Sequence, residues 1–192
     1  MTSDSAADDS PEVAGQSPAA DDSLTILCTS IEGSAVLTRR LGEAKARELI
    51  SEHERIVREA LEAHDGLELK AIGDAFAISF SRVTRALECA IVTQRAFAEH
   101  GDSAAEPFKV RIGLNTGEAI SADDPDGVDR LAAAVDMAER IAAQAEGGEI
   151  LASNFVRDLA ASGEFVFDDR GPSDQHAFDD PERVYELSWR EA

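Results

Sequence analysis

The chain has 192 residues, enough for one domain, and 43% of them are hydrophobic, enough for an ordinary buried core. Its 39 Asp and Glu against 18 Lys and Arg leave a formal charge of -21, a surface that repels nucleic-acid backbones and anionic membranes alike. No apolar run approaches the ~18 residues of a membrane span, and the N-terminus lacks the basic start and apolar stretch of a signal peptide, so the expectation is a cytoplasmic protein with no nucleic-acid or membrane partner.

Residues 1–22 carry six acids and no bases among Ser, Ala, Pro and Gly, and are expected to form a disordered acidic tail ahead of a domain spanning 23–192. Leu24-Thr25-Ile26-Leu27-Cys28 alternates and is β-branched, which predicts a buried strand. From Gly33-Ser34 to His64, apolar residues recur at helical spacing, with Gly42 dividing a short helix from a long one. After the Asp65-Gly66 turn, Leu67 to Phe80 predicts a hairpin around Gly73-Asp74. Ser81 is expected to cap a helix reaching His100, with Val83, Leu87, Ala90, Ile91, Gln94 and Phe97 on one face. Phe108 to Leu114 predicts a strand, and Asn115-Thr116-Gly117 a turn into another strand ending at Ile120. The acidic loop 123–127 lacks the ligand spacing of an EF-hand and is expected to be solvated. There follow a helix over 129–145 stopped by Gly147-Gly148, a short strand at 149–151, a short helix over 153–161, and strands at 164–167 and 183–187. The order implies an α+β fold, an antiparallel-rich sheet covered by helices. Cys28 and Cys89 sit in apolar segments and are expected to be buried thiols rather than a disulfide. His53 and His64, beside an apolar helix face, are expected to pack or sit at its edge, and no His or Cys has metal-ligand spacing.

Three segments stand in a particular order. They are Ser30-Ile31-Glu32-Gly33-Ser34 after a strand, Lys70-Ala71-Ile72-Gly73-Asp74-Ala75-Phe76 in the hairpin, and Asp129 followed by Asp136 and Arg140 on one helix. With Arg111-Ile112-Gly113-Leu114-Asn115-Thr116-Gly117-Glu118 and Gly147-Gly148-Glu149-Ile150-Leu151, the set resembles the class III adenylate/guanylate cyclase domain over most of 24–187. The resemblance implies a ferredoxin-like core and a head-to-tail homodimer with shared sites. It also implies conversion of ATP to cyclic AMP and pyrophosphate with two Mg or Mn ions. It assigns Asp74 and the Ile31 carbonyl to metal, Lys70 and Asp129 to adenine (Lys donating to N1, Asp accepting from the amine), and Arg140 to the α-phosphate. A related diguanylate cyclase is disfavoured, because the Gly-Gly-Asp/Glu-Glu-Phe turn is missing.

The departures from the family's pattern fall on the same site. Ser30 stands where the first metal Asp is expected, and a hydroxyl is a weak ligand for a hard cation. Asp136 replaces the ribose-orienting Asn and sets a negative charge beside the triphosphate. Gln175-His176-Ala177-Phe178 replaces a hairpin that often presents a basic residue, and Ala132 replaces a Gly. The implied enzyme is therefore an impaired adenylate cyclase, with a non-catalytic dimerising nucleotide-binding or regulatory module as the alternative. Each residue also has an ordinary structural role open to it: turn chemistry for Asp74, an edge position for Lys70, a helix start for Asp129, and a surface ion pair for Arg140. Glu32 is a candidate to replace the carboxylate missing at Ser30.

Overall fold

The computed structural model of the chain describes residues 23–118, 126–161, 164–172 and 183–190. The acidic tail, the body of the acidic loop and the 175–178 stretch lie outside these residues. The expected α+β architecture is observed. Strand β1 (Ser23–Ile31) leads into α1 (Ser34–Leu41) and α2 (Glu43–Ala63). Hairpin β2 (Leu67–Ile72) and β3 (Ala75–Phe80) follows, then α3 (Val83–Ser103), β4 (Val110–Glu118) and α4 (Gly127–Gln144). The chain continues through β5 (Ile150–Ser153), α5 (Asn154–Leu159), β6 (Phe167–Pro172) and β7 (Arg183–Leu187). Gly42 separates α1 from α2 at φ 84°, a backbone region that glycine enters without strain.

The strands form one sheet in the order β2-β3-β1-β4-β5-β7-β6, antiparallel except for the β4–β5 pair. β1 and β4 lie at its centre and pair along their whole length, from Ser23 opposite Glu118 to Ile31 opposite Val110. Strand parity then sends alternate residues to opposite faces. Leu27, Ile31, Phe76, Ile78, Ile112 and Leu114 join the larger core beneath α2 and α3. Ile26, Cys28 and Ala77 face α4, where they meet Ala134, Ala138 and Ala142. The alanine stripe brings α4 very close to the sheet. A Cβ placed on Gly113 would lie 2.3 Å from the Ala142 nitrogen and 2.4 Å from the Ala138 oxygen, so the helix backbone rests on β4 where only glycine fits.

Several local expectations shift. Asn115-Thr116-Gly117 makes no turn: β4 runs straight through it, because β1 pairs with every one of these residues and the Asn115 amide reaches the Ala134 carbonyl at 3.4 Å. Pairing to a central strand overrides the turn propensity of Asn and Gly. Ser81 does not cap α3. The extended Arg82 occupies that position and no side chain caps the helix. α4 begins at Gly127, two residues before Asp129. The strand expected at 164–167 lies at Phe167–Pro172 instead, and the apolar signal there comes from Phe165 packing on the core. Gln94, expected on an apolar face, is buried because its amide donates to the Val110 and Glu149 carbonyls at 2.9 and 3.0 Å and ties β4 to the approach of β5. Both cysteines are buried free thiols, and burial pushes the Cys89 thiol up to about 11.

His53 of α2 is a buried polar side chain on the side of the sheet that carries α2 and α3. It is fully buried, stacks on Phe97 at 5.6 Å, and shares a 2.9 Å hydrogen bond between Nε2 and the Thr29 hydroxyl, the residue before Ser30 in β1. Its Nδ1 has no partner among the described residues. Burial holds its pKa down at about 4, with Asp74 acting weakly in the opposite direction. Below the ordinary histidine value the unfolded chain takes up a proton that the folded chain refuses. Stability is therefore unaffected above about pH 6.5 and falls as pH drops from there toward 4, by up to about 3 kcal/mol. Urea unfolding of wild type and His53→Gln at pH 7.5 and pH 5 should show a smaller acid loss in the variant. Equal losses would show that this histidine does not titrate with folding.

Candidate active site

The α4 side of the sheet carries the candidate site. Parity places Ser30 on the same face as Cys28 and Ile26, and the register sets Arg111 directly opposite Ser30 on β4. Directly opposed residues of an antiparallel pair have neighbouring side chains. The Arg111 Nη2 donates to the Ser30 hydroxyl at 3.2 Å, and Nη1 reaches the Ala143 carbonyl at 3.5 Å. Lys70 comes in from β2, its ammonium 3.0 Å from the Glu139 carboxylate of α4. Ser30, Lys70, Arg111 and Glu139, with Ile72 and Phe76, line an open cavity of about 320 Å³ beneath the second half of α4.

The metal-type residues sit at one end of this face. Gly73 takes φ 61° in the β2–β3 turn, and the turn aims Asp74 back at β1, where its Oδ2 accepts from the Ile31 amide at 3.2 Å. Asp74, distant in sequence, is thus brought to the Ser30–Ile31 end of β1. Glu32 is engaged elsewhere: its carboxylate accepts from the Gly147 amide at 2.7 Å and braces the approach to β5. Among the described residues no group of three or more His, Cys, Asp or Glu side chains could enclose a metal ion. One carboxylate, one hydroxyl already accepting from a guanidinium, and a backbone carbonyl can support one hard cation alongside phosphate oxygens. They do not make up a donor set for two.

The three residues expected on the helix are arranged differently from Lys70. Asp129 lies exposed in the first turn of α4, with Asp126 at the helix cap, and Lys70 pairs with Glu139 rather than with Asp129. Asp136 and Arg140, one helical turn apart, form an ion pair at 2.7 Å on the outer side of α4, next to Glu139 in sequence but not lining the cavity. Two residues given no role in the sequence reading line the cavity: Arg111, which stood there only within a strand segment of the resemblance, and Glu139. The signal for Arg111 was available in the parity that puts it on the face of Gly113, but its meeting with Ser30 depends on the β1–β4 register.

No helix among the described residues is long and apolar enough to cross a membrane. The fold matches solved cyclase structures at low identity. The adenylyl cyclase CyaB from P. aeruginosa superposes with a TM-score of 0.71 at 19% identity, covering 87% of this chain and 94% of that one. The guanylate cyclase domain of RhGC from Catenaria anguillulae, solved in complex with GTP, gives 0.72 at 16%, covering 89% and 98%. Among curated sequences, an adenylate cyclase of Neurospora crassa is 31% identical over 158 residues, 71% of this chain and 7% of that protein. An uncharacterized protein of Mycobacterium tuberculosis is 27% identical over 171 residues, 87% of this chain and 43% of its own length. The chain therefore spans less than half of these longer relatives. The model of the adenylate and guanylate cyclase catalytic domain matches residues 17–187, and with the sheet order and the hairpin-borne Asp74 already described, this chain belongs to the class III nucleotidyl cyclase family.

Proposed function

We propose that this domain binds ATP in a site completed by a second copy of the chain, and that it forms cyclic AMP and pyrophosphate slowly or not at all. The observation that carries the reading is the meeting of Ser30 with Arg111 at the place where the family's pattern has a carboxylate. Losing a carboxylate beside the reacting phosphate costs several kcal/mol of charge stabilisation, roughly two to four orders of magnitude in rate. The Asp136–Arg140 pair adds a second brake, since the guanidinium suited to a developing phosphate charge is held by an aspartate where the pattern has a neutral Asn. The pair is partly exposed and strains nothing, so substrate phosphate competes with Asp136 for Arg140 instead of finding it poised.

Base recognition rests on Lys70 and Asp129. The Lys70–Glu139 pair is also partly exposed and is worth about 0–1 kcal/mol, little enough for an adenine ring to displace. The dimer is supported by the family's chemistry, since the helix residues Asp129, Asp136 and Arg140 do not reach the Ser30–Lys70 cavity within one chain. A dimeric relative exists at the level of fold: the guanylyl cyclase domain of the RhoGC fusion protein from Blastocladiella emersonii, described as a non-canonical dimer, superposes with a TM-score of 0.68 at 16% identity, covering 86% of this chain and 96% of that one. The same two departures favour a second reading, a dimerising module that binds nucleotide and regulates something else.

Cyclic AMP formation from Mn-ATP separates the two readings. Ser30→Asp should raise the rate by about tenfold or more, Asp136→Asn should raise it further by releasing Arg140, and the two gains should not simply add, because both act on one site. A wild type that already turns over at ordinary cyclase rates and ignores Ser30→Asp overturns the impaired-site reading, and an inert double variant favours the binding module. Calorimetry should find ATP bound more tightly than GTP, with the preference lost in Lys70→Glu at a cost of about 1–3 kcal/mol. Equal ATP and GTP affinities in wild type would count against Lys70 and Asp129 as base readers. Light scattering over a concentration series should show dimer growing with concentration. A monomer at high micromolar concentration, with and without ATP and Mn, contradicts the shared site.

A further inference from the structure

The register of the sheet sets Lys70 under one particular turn of α4. Lys70 pairs with Ala77 on β3, Ala77 with Cys28 on β1, and Cys28 with Gly113 on β4, so the four form one row across the sheet. Gly113 lies under the Ala138 carbonyl and the Ala142 amide, and Glu139 stands on that same turn. Its carboxylate meets the Lys70 ammonium at 3.0 Å. From there α4 runs back along β4, with Ala134 above Gly117, and Asp129 lies beyond that contact. Ten residues separate Asp129 from Glu139, about 15 Å along a helix axis. Among the described residues Glu139 is also the only carboxylate that lines the cavity. Cys28, Ile72, Phe76 and Ala142 give the cavity apolar walls, and its volume of about 320 Å³ falls in the range of small-molecule sites.

We propose that Glu139, not Asp129, is the acceptor that reads the base beside Lys70, taking the exocyclic amine of adenine while Lys70 donates to N1. The proposal rests on the nucleotide reading above and moves one of its two base contacts to a residue that the resemblance leaves without a role. N1 and the amine are neighbours on one edge of the ring, so the groups that read them must be neighbours too. Lys70 and Glu139 are, and Lys70 and Asp129 of the same chain are not. The ion pair need not break to do this. An ammonium carries three donors and a carboxylate two acceptor oxygens, so their mutual bond leaves each able to serve the ring. Both side chains stay partly exposed, within reach of a ring in the cavity. Guanine in the same seat would set its carbonyl oxygen against the carboxylate and its ring N–H against the ammonium, two mismatches that select against it.

The test is calorimetric titration of the full-length chain, in Mn, with ATP and with purine riboside triphosphate, the same nucleotide without its amine. Wild type should bind ATP about tenfold or more tightly than the analogue. In Glu139→Ala that ratio should fall to within about twofold of unity, and in Asp129→Ala it should stay at the wild-type value. Glu139→Gln keeps an acceptor oxygen and should hold the ratio within about threefold of wild type. Removing a carboxylate from the cavity changes the affinity of both triphosphates alike, so the ratio isolates the amine contact, and circular dichroism identifies any variant that has failed to fold. A ratio that survives in a folded Glu139→Ala overturns the proposal. A ratio that collapses in Asp129→Ala, alone or together with Glu139→Ala, returns the amine to Asp129 and overturns the proposal while the nucleotide reading stands. Equal binding of ATP and the analogue by wild type overturns the proposal and any reading of the amine, and leaves nucleotide binding itself standing. Failure of both triphosphates to bind overturns the nucleotide reading and the proposal with it.

Discussion

The contact on which the rest of the site depends is the seating of α4 on β4. Gly113 lets the helix backbone come within touching distance of the strand, and Ala134, Ala138 and Ala142 carry that closeness along the helix. A larger residue at any of these places would lift the helix and open the groove beneath its second half, since interiors at this density tolerate little added volume. Because the helix is close, Glu139 reaches Lys70 on the far hairpin, and the Ala143 carbonyl comes within reach of Arg111. The cavity owes its depth to small residues and its charge to the few long side chains around them.

The opposite face of the sheet works by different means. There α2 and α3 bury large side chains, and polar groups that enter reach back to the strands: His53 to the Thr29 hydroxyl, Gln94 to two carbonyls. These bonds hold β1 and β4 from behind, so the strands that present Ser30 and Arg111 to the cavity are fixed by contacts the cavity never sees. Thr29 and Ser30 are neighbours in sequence and belong to opposite faces. One anchors the strand, and the other sets the chemistry.

The electrostatics of the two sides of α4 differ. Its outer side closes on itself through Asp136 and Arg140, one turn apart. Its inner side reaches across to the sheet through Glu139. Asp136 gives Arg140 an acid within its own helix, whereas Ser30 offers Arg111 a hydroxyl. One arginine is held by a carboxylate and the other by neutral oxygens.

Much of this was legible in the sequence. The strand at Leu24–Cys28, the Gly42 break, the hairpin around Gly73-Asp74, the short β7 and the family itself follow from periodicity, turn residues and the ordered motifs, all of which are local or nearly so. The sequence also showed that Ser30 lacks a carboxylate. What it could not show is which charged groups meet. Asn115-Thr116-Gly117 has the composition of a turn and becomes a central strand because β1 pairs across it. Lys70 meets Glu139, 69 positions away, and Ser30 meets Arg111, 81 positions away, because register and helix seating bring them together. Side-chain partners at such separations are fixed by strand pairing and by the closeness of α4, quantities that no local pattern of residues encodes.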